Sequence, residues 1–75
     1  MSKFKPGIYK HFKGNKYLAL TVGKHSETLE EMVVYVSLYE NETSQTWIRP
    51  LDNFMSEKEL EDGTKVKRFT FVSEY

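Results

Sequence analysis

Apolar and polar residues alternate in short runs along this chain, and turn-forming residues separate the runs. A period of two is the pattern of half-buried β-strands. The first run, 7–13, follows Pro6 and ends at Gly14-Asn15, a two-residue hairpin signal, and 16–24 answers it as a second strand. A tight loop there sets Phe12 opposite Tyr17, Lys10 opposite Ala19 and Ile8 opposite Thr21 on one surface. His11 then faces Leu18 and Tyr9 faces Leu20 on the other, with Val22 beyond. That second surface is the expected core face, because Leu18, Leu20 and Val22 make it continuously apolar.

Residues 25–30 break the β pattern and read as a polar turn. Thr28 and Glu31 have the spacing of a helix capping box, but the run from Met32 to Tyr39 holds three valines and two tyrosines, which favour a strand. It is apolar on both faces, so it is expected inside the sheet. A polar loop, 40–45, leads to a fourth strand, 46–49, with Trp47 and Arg49 on one face and Ile48 on the other. Pro50 removes a backbone donor and holds Arg49 extended. Leu51 to Phe54 suits one turn of 3-10 helix, and Ile48, Leu51 and Phe54 are expected to seal the core. The charged stretch 55–61 reads as a short irregular strand ahead of a hairpin turn at Asp62-Gly63, with a helical turn boxed by Ser56 and Glu59 as the alternative. Residues 65–72 form the last strand, with Phe69 and Phe71 on one face.

Short strands, tight turns and a chain too short for a two-sheet sandwich predict an all-β fold. The form expected is a small, partly open SH3-like barrel of about five mostly antiparallel strands, occupying 1–75 as a single domain, with a short 3-10 turn before the last strand. Composition adds how such a small core holds together. There is no cysteine, so neither disulfides nor thiolate metal sites support the fold, and a reducing cytoplasmic setting suits it. Eleven aromatic residues take their place. The opening residues lack the apolar core of a secretory signal, and no run reaches the length of a membrane span. The Asn41-Glu42-Thr43 sequon is read as chance in a polar turn.

Charge balances at zero but is unevenly placed. Residues 1–26 carry six lysines and no acid, whereas 27–62 carry ten acids against Arg49 and Lys58. Lys65, Lys67 and Arg68 return the end to basic. The preferred reading is mutual neutralisation within the sheet; the alternative is a basic face on the first hairpin and last strand, open to a polyanion.

Catalytic motifs fare poorly. His25-Ser26-Glu27 lists triad residue types, but neighbours on an extended segment point apart, and polar caps on a tight turn explain them better. His11, His25 and Glu27 contain the types of a two-histidine, one-carboxylate metal site without the spacing to enforce one. The glutamates of 30–31 and 57–61 sit in polar runs that would leave their pKa values ordinary. No phosphate loop or zinc motif is present, and no cofactor or metal is expected. Trp47 and Arg49 are different. An indole and a guanidinium two residues apart on one strand face make a flat cationic platform, suited to stacking a ring and holding a phosphate or carboxylate. The competing reading makes Trp47 barrel core or a lid over the open end of the barrel, and pairs Arg49 with an acid from 27–42.

The string Gly7-x-Tyr9-x-His11-x-Lys13-Gly14, then Tyr17, His25 to Thr28, Val34-Tyr35, Leu38-Tyr39, and Trp47-x-Arg49-Pro50-Leu51 with Phe54 resembles the bacterial domain of unknown function 1653 family. The resemblance extends to Arg68-Phe69 and implies an SH3-like barrel, with no activity attached. One departure is the 40–45 loop, longer and more acidic than the family leads one to expect.

The function expected is therefore non-enzymatic binding. Trp47 and Arg49 are its anchor, and Tyr9, His11, His25, Glu27 and Tyr35 its candidate walls. A small molecule, a peptide or a short nucleic acid each suits such a platform, and no membrane partner is expected. An enzyme accessory using His25 and Glu27 as acid and base is the alternative, and a subunit joined through an exposed strand edge is a third reading.

Overall fold

The computed structural model describes residues 4–40, 42 and 45–75. Asn41 and Thr43 of the sequon, Ser44 and the first three residues lie outside the described residues. Seven strands and one helical turn follow one another: β1 (Gly7–His11), β2 (Lys16–Lys24), β3 (Glu31–Ser37), β4 (Thr46–Pro50), α1 (Leu51–Phe54), β5 (Glu57–Glu59), β6 (Lys65–Lys67) and β7 (Phe69–Ser73). Five of them form one antiparallel sheet in the order β4-β3-β2-β1-β7, and β5 pairs only with β6. The expected last strand is thus two, broken at Arg68.

The five-stranded order is that of an SH3-like meander, with the final strand returning beside the first. No backbone ladder joins the outer strands β4 and β7 among the described residues. A side-chain contact spans them instead: the Arg49 guanidinium of β4 lies 5.2 Å from the ring centre of Phe69 on β7.

The first hairpin corrects the expected register. Gly7 pairs with Ala19, Ile8 with Leu18, Tyr9 with Tyr17 and Lys10 with Lys16. The loop is four residues, not two, because the chain turns back at His11. His11 N–H donates to Asn15 O (2.8 Å), Gly14 N–H donates to His11 O (2.7 Å), and Gly14 takes φ +107°, which suits glycine. The shift by an odd number exchanges faces on β2. Ala19 is buried and Leu20, expected inside, is 47% exposed. An irregularity between Ala19 and Thr21 then restores the other phase, so Val22 packs on the core as expected. Phe12 consequently sits in the turn and does not face Tyr17.

Tyr9, Ala19, Val33, Tyr35, Phe54 and Phe69 form the core. Phe54 is wholly buried and stacks on Phe69 at 4.1 Å with an interplanar angle of 8°. Leu51 packs against this cluster, but Ile48, expected to seal it, is 64% exposed, since it alternates with inward Trp47 and Arg49. The turn after Pro50 is α and not 3-10: Met55 N–H reaches Leu51 O at 2.9 Å. β5 and β6 are joined as expected at Asp62-Gly63, where Thr64 N–H donates to Asp62 Oδ1. Their register sets Glu57 opposite Lys67 and Glu59 opposite Lys65, although neither couple forms an ion pair among the described residues.

Candidate binding site

β3 and β4 align Tyr35 with Trp47 and Val33 with Arg49, which directs Trp47 and Arg49 toward the core side of the sheet. Both are half-buried. The indole Nε1–H of Trp47 donates to Ser37 Oγ (2.9 Å), so the ring is fixed at its polar edge while the rest packs on the core and meets solvent. Trp47 is thus neither a full core residue nor a free surface one.

Among the described residues Arg49 is held in place without a counterion. Its Nε–H donates to Tyr35 OH (3.1 Å) and its Nη1–H to Asn53 Oδ1 (2.7 Å), and the guanidinium lies on Phe69. Among the described residues the one ion pair is Lys5 with Glu74, so the acid from 27–42 expected as a competing partner is not paired with it there. α1 makes this possible. Pro50 turns the chain, and one helical turn returns Asn53 beneath Arg49.

His11 stands at the far side of the same aromatic group. Its ring meets Phe69 (4.8 Å), Phe12 (4.5 Å) and Tyr17 (6.4 Å). Nδ1 accepts Lys13 N–H at 3.2 Å, a bond that uses a deprotonated nitrogen. Burial lowers the His11 pKa from its ordinary value, and the charges of Arg49, Lys13 and Arg68 lower it further. Tyr17 completes the group: its hydroxyl meets Tyr39 OH at 2.8 Å, and burial followed by that hydrogen bond pushes its pKa well above the usual tyrosine range.

Tyr9 and Tyr35 are buried and support this face from beneath; Tyr9 OH is engaged by Lys5 O (2.6 Å) and Tyr35 OH by Arg49. His25 and Glu27 lie apart, in the exposed β2–β3 turn. His25 Nδ1 accepts the N–H groups of Glu27 (3.1 Å) and Thr28 (3.3 Å), and Thr28 Oγ1 accepts that of Glu30. The turn is thus capped by the imidazole as well as a hydroxyl. No hydrogen bond or ring contact links His25 or Glu27 to Trp47, Arg49 or Tyr35 among the described residues. The described residues hold no group of three metal-ligating side chains.

Sequence reasoning gave Asn53, Ser56 and Arg68 no part in the site, although Ser56 and Arg68 entered that reasoning in other roles. Arg68 leaves a signal: it and Arg49 are the only arginines among eleven basic residues. An open groove of about 250 Å³ beside His11 is lined also by Lys10, Phe12 and Lys67, and neither Trp47 nor Arg49 lines it. No helix among the described residues is long and apolar enough to cross a membrane.

No curated protein matches this chain. A crystal structure of a DUF1653 protein from Bordetella bronchiseptica superposes with a TM-score of 0.88 at 34% identity, covering 97% of this chain and 92% of that one. The family model described as a protein of unknown function, DUF1653, matches residues 7–71. Fold and motifs therefore place this chain in the DUF1653 family.

Proposed function

We propose that this chain is a non-enzymatic binding module, whose ligand presents a flat ring to Trp47 and an oxyanion to Arg49. The observation that carries the reading is Arg49 itself: a half-buried guanidinium fixed by two neutral partners and an aromatic ring, with no carboxylate paired to it among the described residues. A guanidinium so placed is cationic and still offers Nη2 to an incoming carboxylate or phosphate. Trp47, held at Nε1 and partly open, supplies the adjacent flat surface. Two hydrogen bonds and the Phe69 ring hold the half-buried cation in one place, which preorganises it for an anion.

The alternative that makes His25 and Glu27 an acid–base pair has less support, because the imidazole Nδ1 is committed to two backbone N–H groups. The test is an amide and side-chain chemical-shift titration with adenosine 5′-monophosphate, adenosine and a proline-rich peptide. The monophosphate is expected to move the Trp47 indole and Arg49 Nε–H signals together. If those signals stay fixed for the nucleotide while the β2–β3 turn responds to any of the three, the platform reading fails.

A further inference from the structure

The two arginines of the chain converge on one turn. Arg49 Nη1 donates to Asn53 Oδ1 (2.7 Å), and Arg68 Nε donates to Ser56 Oγ (3.1 Å). Ser56 Oγ in turn donates to Asn53 O (2.6 Å), so α1 and the residues after it tie both side chains to a single hub. The backbone reinforces this: Arg68 N–H donates to Ser56 O at 2.9 Å, and Phe12 N–H to Arg68 O at 3.0 Å. Arg68 also precedes Phe69, the ring on which Arg49 lies. Among the described residues every hydrogen-bond partner of the two guanidiniums is neutral and neither makes an ion pair, although the chain has as many acids as bases. Both also act on the same third group, His11.

We infer that Arg49 and Arg68 are the two arms of a cradle for a doubly charged oxyanion of the phosphate monoester class, with His11 at its rim. The inference rests on the platform reading above and adds the second arm. Tethering through Nε leaves both terminal nitrogens of Arg68 for a ligand, and Arg49 keeps Nη2. One open fork from Arg68 and a single-nitrogen donor from Arg49 on one hub suit a tetrahedral dianion, whose oxygens point in several directions, better than a planar carboxylate with one charge. Arginine at these two positions among nine lysines fits a demand for geometry and not for charge alone.

Phosphate between the arms would offset the cations that depress His11. The groups acting on that ring are Arg49 from β4, Arg68 ahead of β7 and Lys13 from the β1–β2 loop, with Tyr17 of β2 and Phe69 of β7 packed against it. The experiment is a titration of the intact chain with inorganic phosphate, then with adenosine 5′-monophosphate, following the Nε–H signals of both arginines and the His11 ring against pH. Phosphate is expected to shift both Nε–H signals and to raise the His11 pKa. Arg68→Met should weaken phosphate and the monophosphate about tenfold, while Arg68→Lys recovers part of the loss. Ser56→Ala, which removes the tether and keeps the guanidinium, should cost less than Arg68→Met. If Arg49→Met abolishes monophosphate binding but Arg68→Met leaves it and the His11 pKa unchanged, the second arm is wrong and the platform stands. If neither substitution matters, both are wrong. Should Arg68→Met fail to fold, the wild-type signals decide: an unmoved Arg68 Nε–H and His11 pKa under saturating monophosphate overturn the cradle.

Discussion

Phe54 is the side chain on which fold and site both depend. It is fully buried, stacks on Phe69, and meets Tyr9 and Tyr35 edge-on at 5.1 and 5.6 Å. Truncation to alanine should cost about 3–5 kcal/mol, the usual range for a buried phenylalanine. A chain of 75 residues has a total of only about 4–11 kcal/mol, so Phe54→Ala should leave much of the protein unfolded at 37 °C. Phe54→Leu is the informative variant. It removes roughly three carbons' worth of buried surface, about 2 kcal/mol from area alone. With a urea slope of about 1 kcal/mol per molar, the midpoint should fall by about 2 M. Circular dichroism and Trp47 fluorescence, followed through the same urea series, should give one transition. A midpoint shift below about 0.5 M would refute the reasoning, because it would mean the cavity relaxes or Phe54 is not the keystone. A tryptophan transition earlier than the loss of β signal would separate the site from the core that is said to carry it.

Three further outcomes follow from local geometry. Gly7 has φ +150°, and an added Cβ would lie 2.6 Å from Ser73 O and 2.8 Å from Phe71 Cε1, so Gly7→Ala should cost about 2 kcal/mol or more by urea unfolding; Gly14→Ala, strained at φ +107° but with open space, should cost about 1 kcal/mol. Leu29 is exposed at φ +64°, so Leu29→Gly should be neutral or stabilise by up to about 1 kcal/mol in the same assay. Burial raises the pKa of Tyr9, and burial with the Tyr39 hydrogen bond raises that of Tyr17. Unfolded tyrosine loses its proton first, near pH 10, so stability should be intact below that pH and fall as it rises further, with ultraviolet absorbance showing two tyrosines that ionise late or only on unfolding.

The strands were legible because their apolar period is strong, and β3 announced its interior place by being apolar on both faces. The hairpin register was not. Gly14-Asn15 reads as a two-residue turn, but His11 closes the loop early, and the odd shift put Leu20 outside and Ala19 inside. Ile48 misled for a related reason: its hydrophobicity suggests the core, whereas alternation with Trp47 and Arg49 fixes it outward. That Trp47 and Arg49 share one face of β4 was legible from their spacing of two. Asn53, Ser56 and Arg68 were not, since their meeting depends on one helical turn after Pro50 and on a strand break at Arg68, neither of which leaves a periodic signal.

The claim at the centre of this account is that Arg49 binds an anion and does not merely bridge β4 to β7. Calorimetric titration of adenosine 5′-monophosphate into wild type and Arg49→Met tests it, with urea midpoints recorded for both. The methionine keeps much of the side chain's apolar length and removes the charge. Binding should weaken at least tenfold in the variant, and wild-type affinity should fall as salt rises, because a charge contact to phosphate is screened. Equal affinity for the two proteins, with stability lost in the variant, would contradict the account and return Arg49 to the fold.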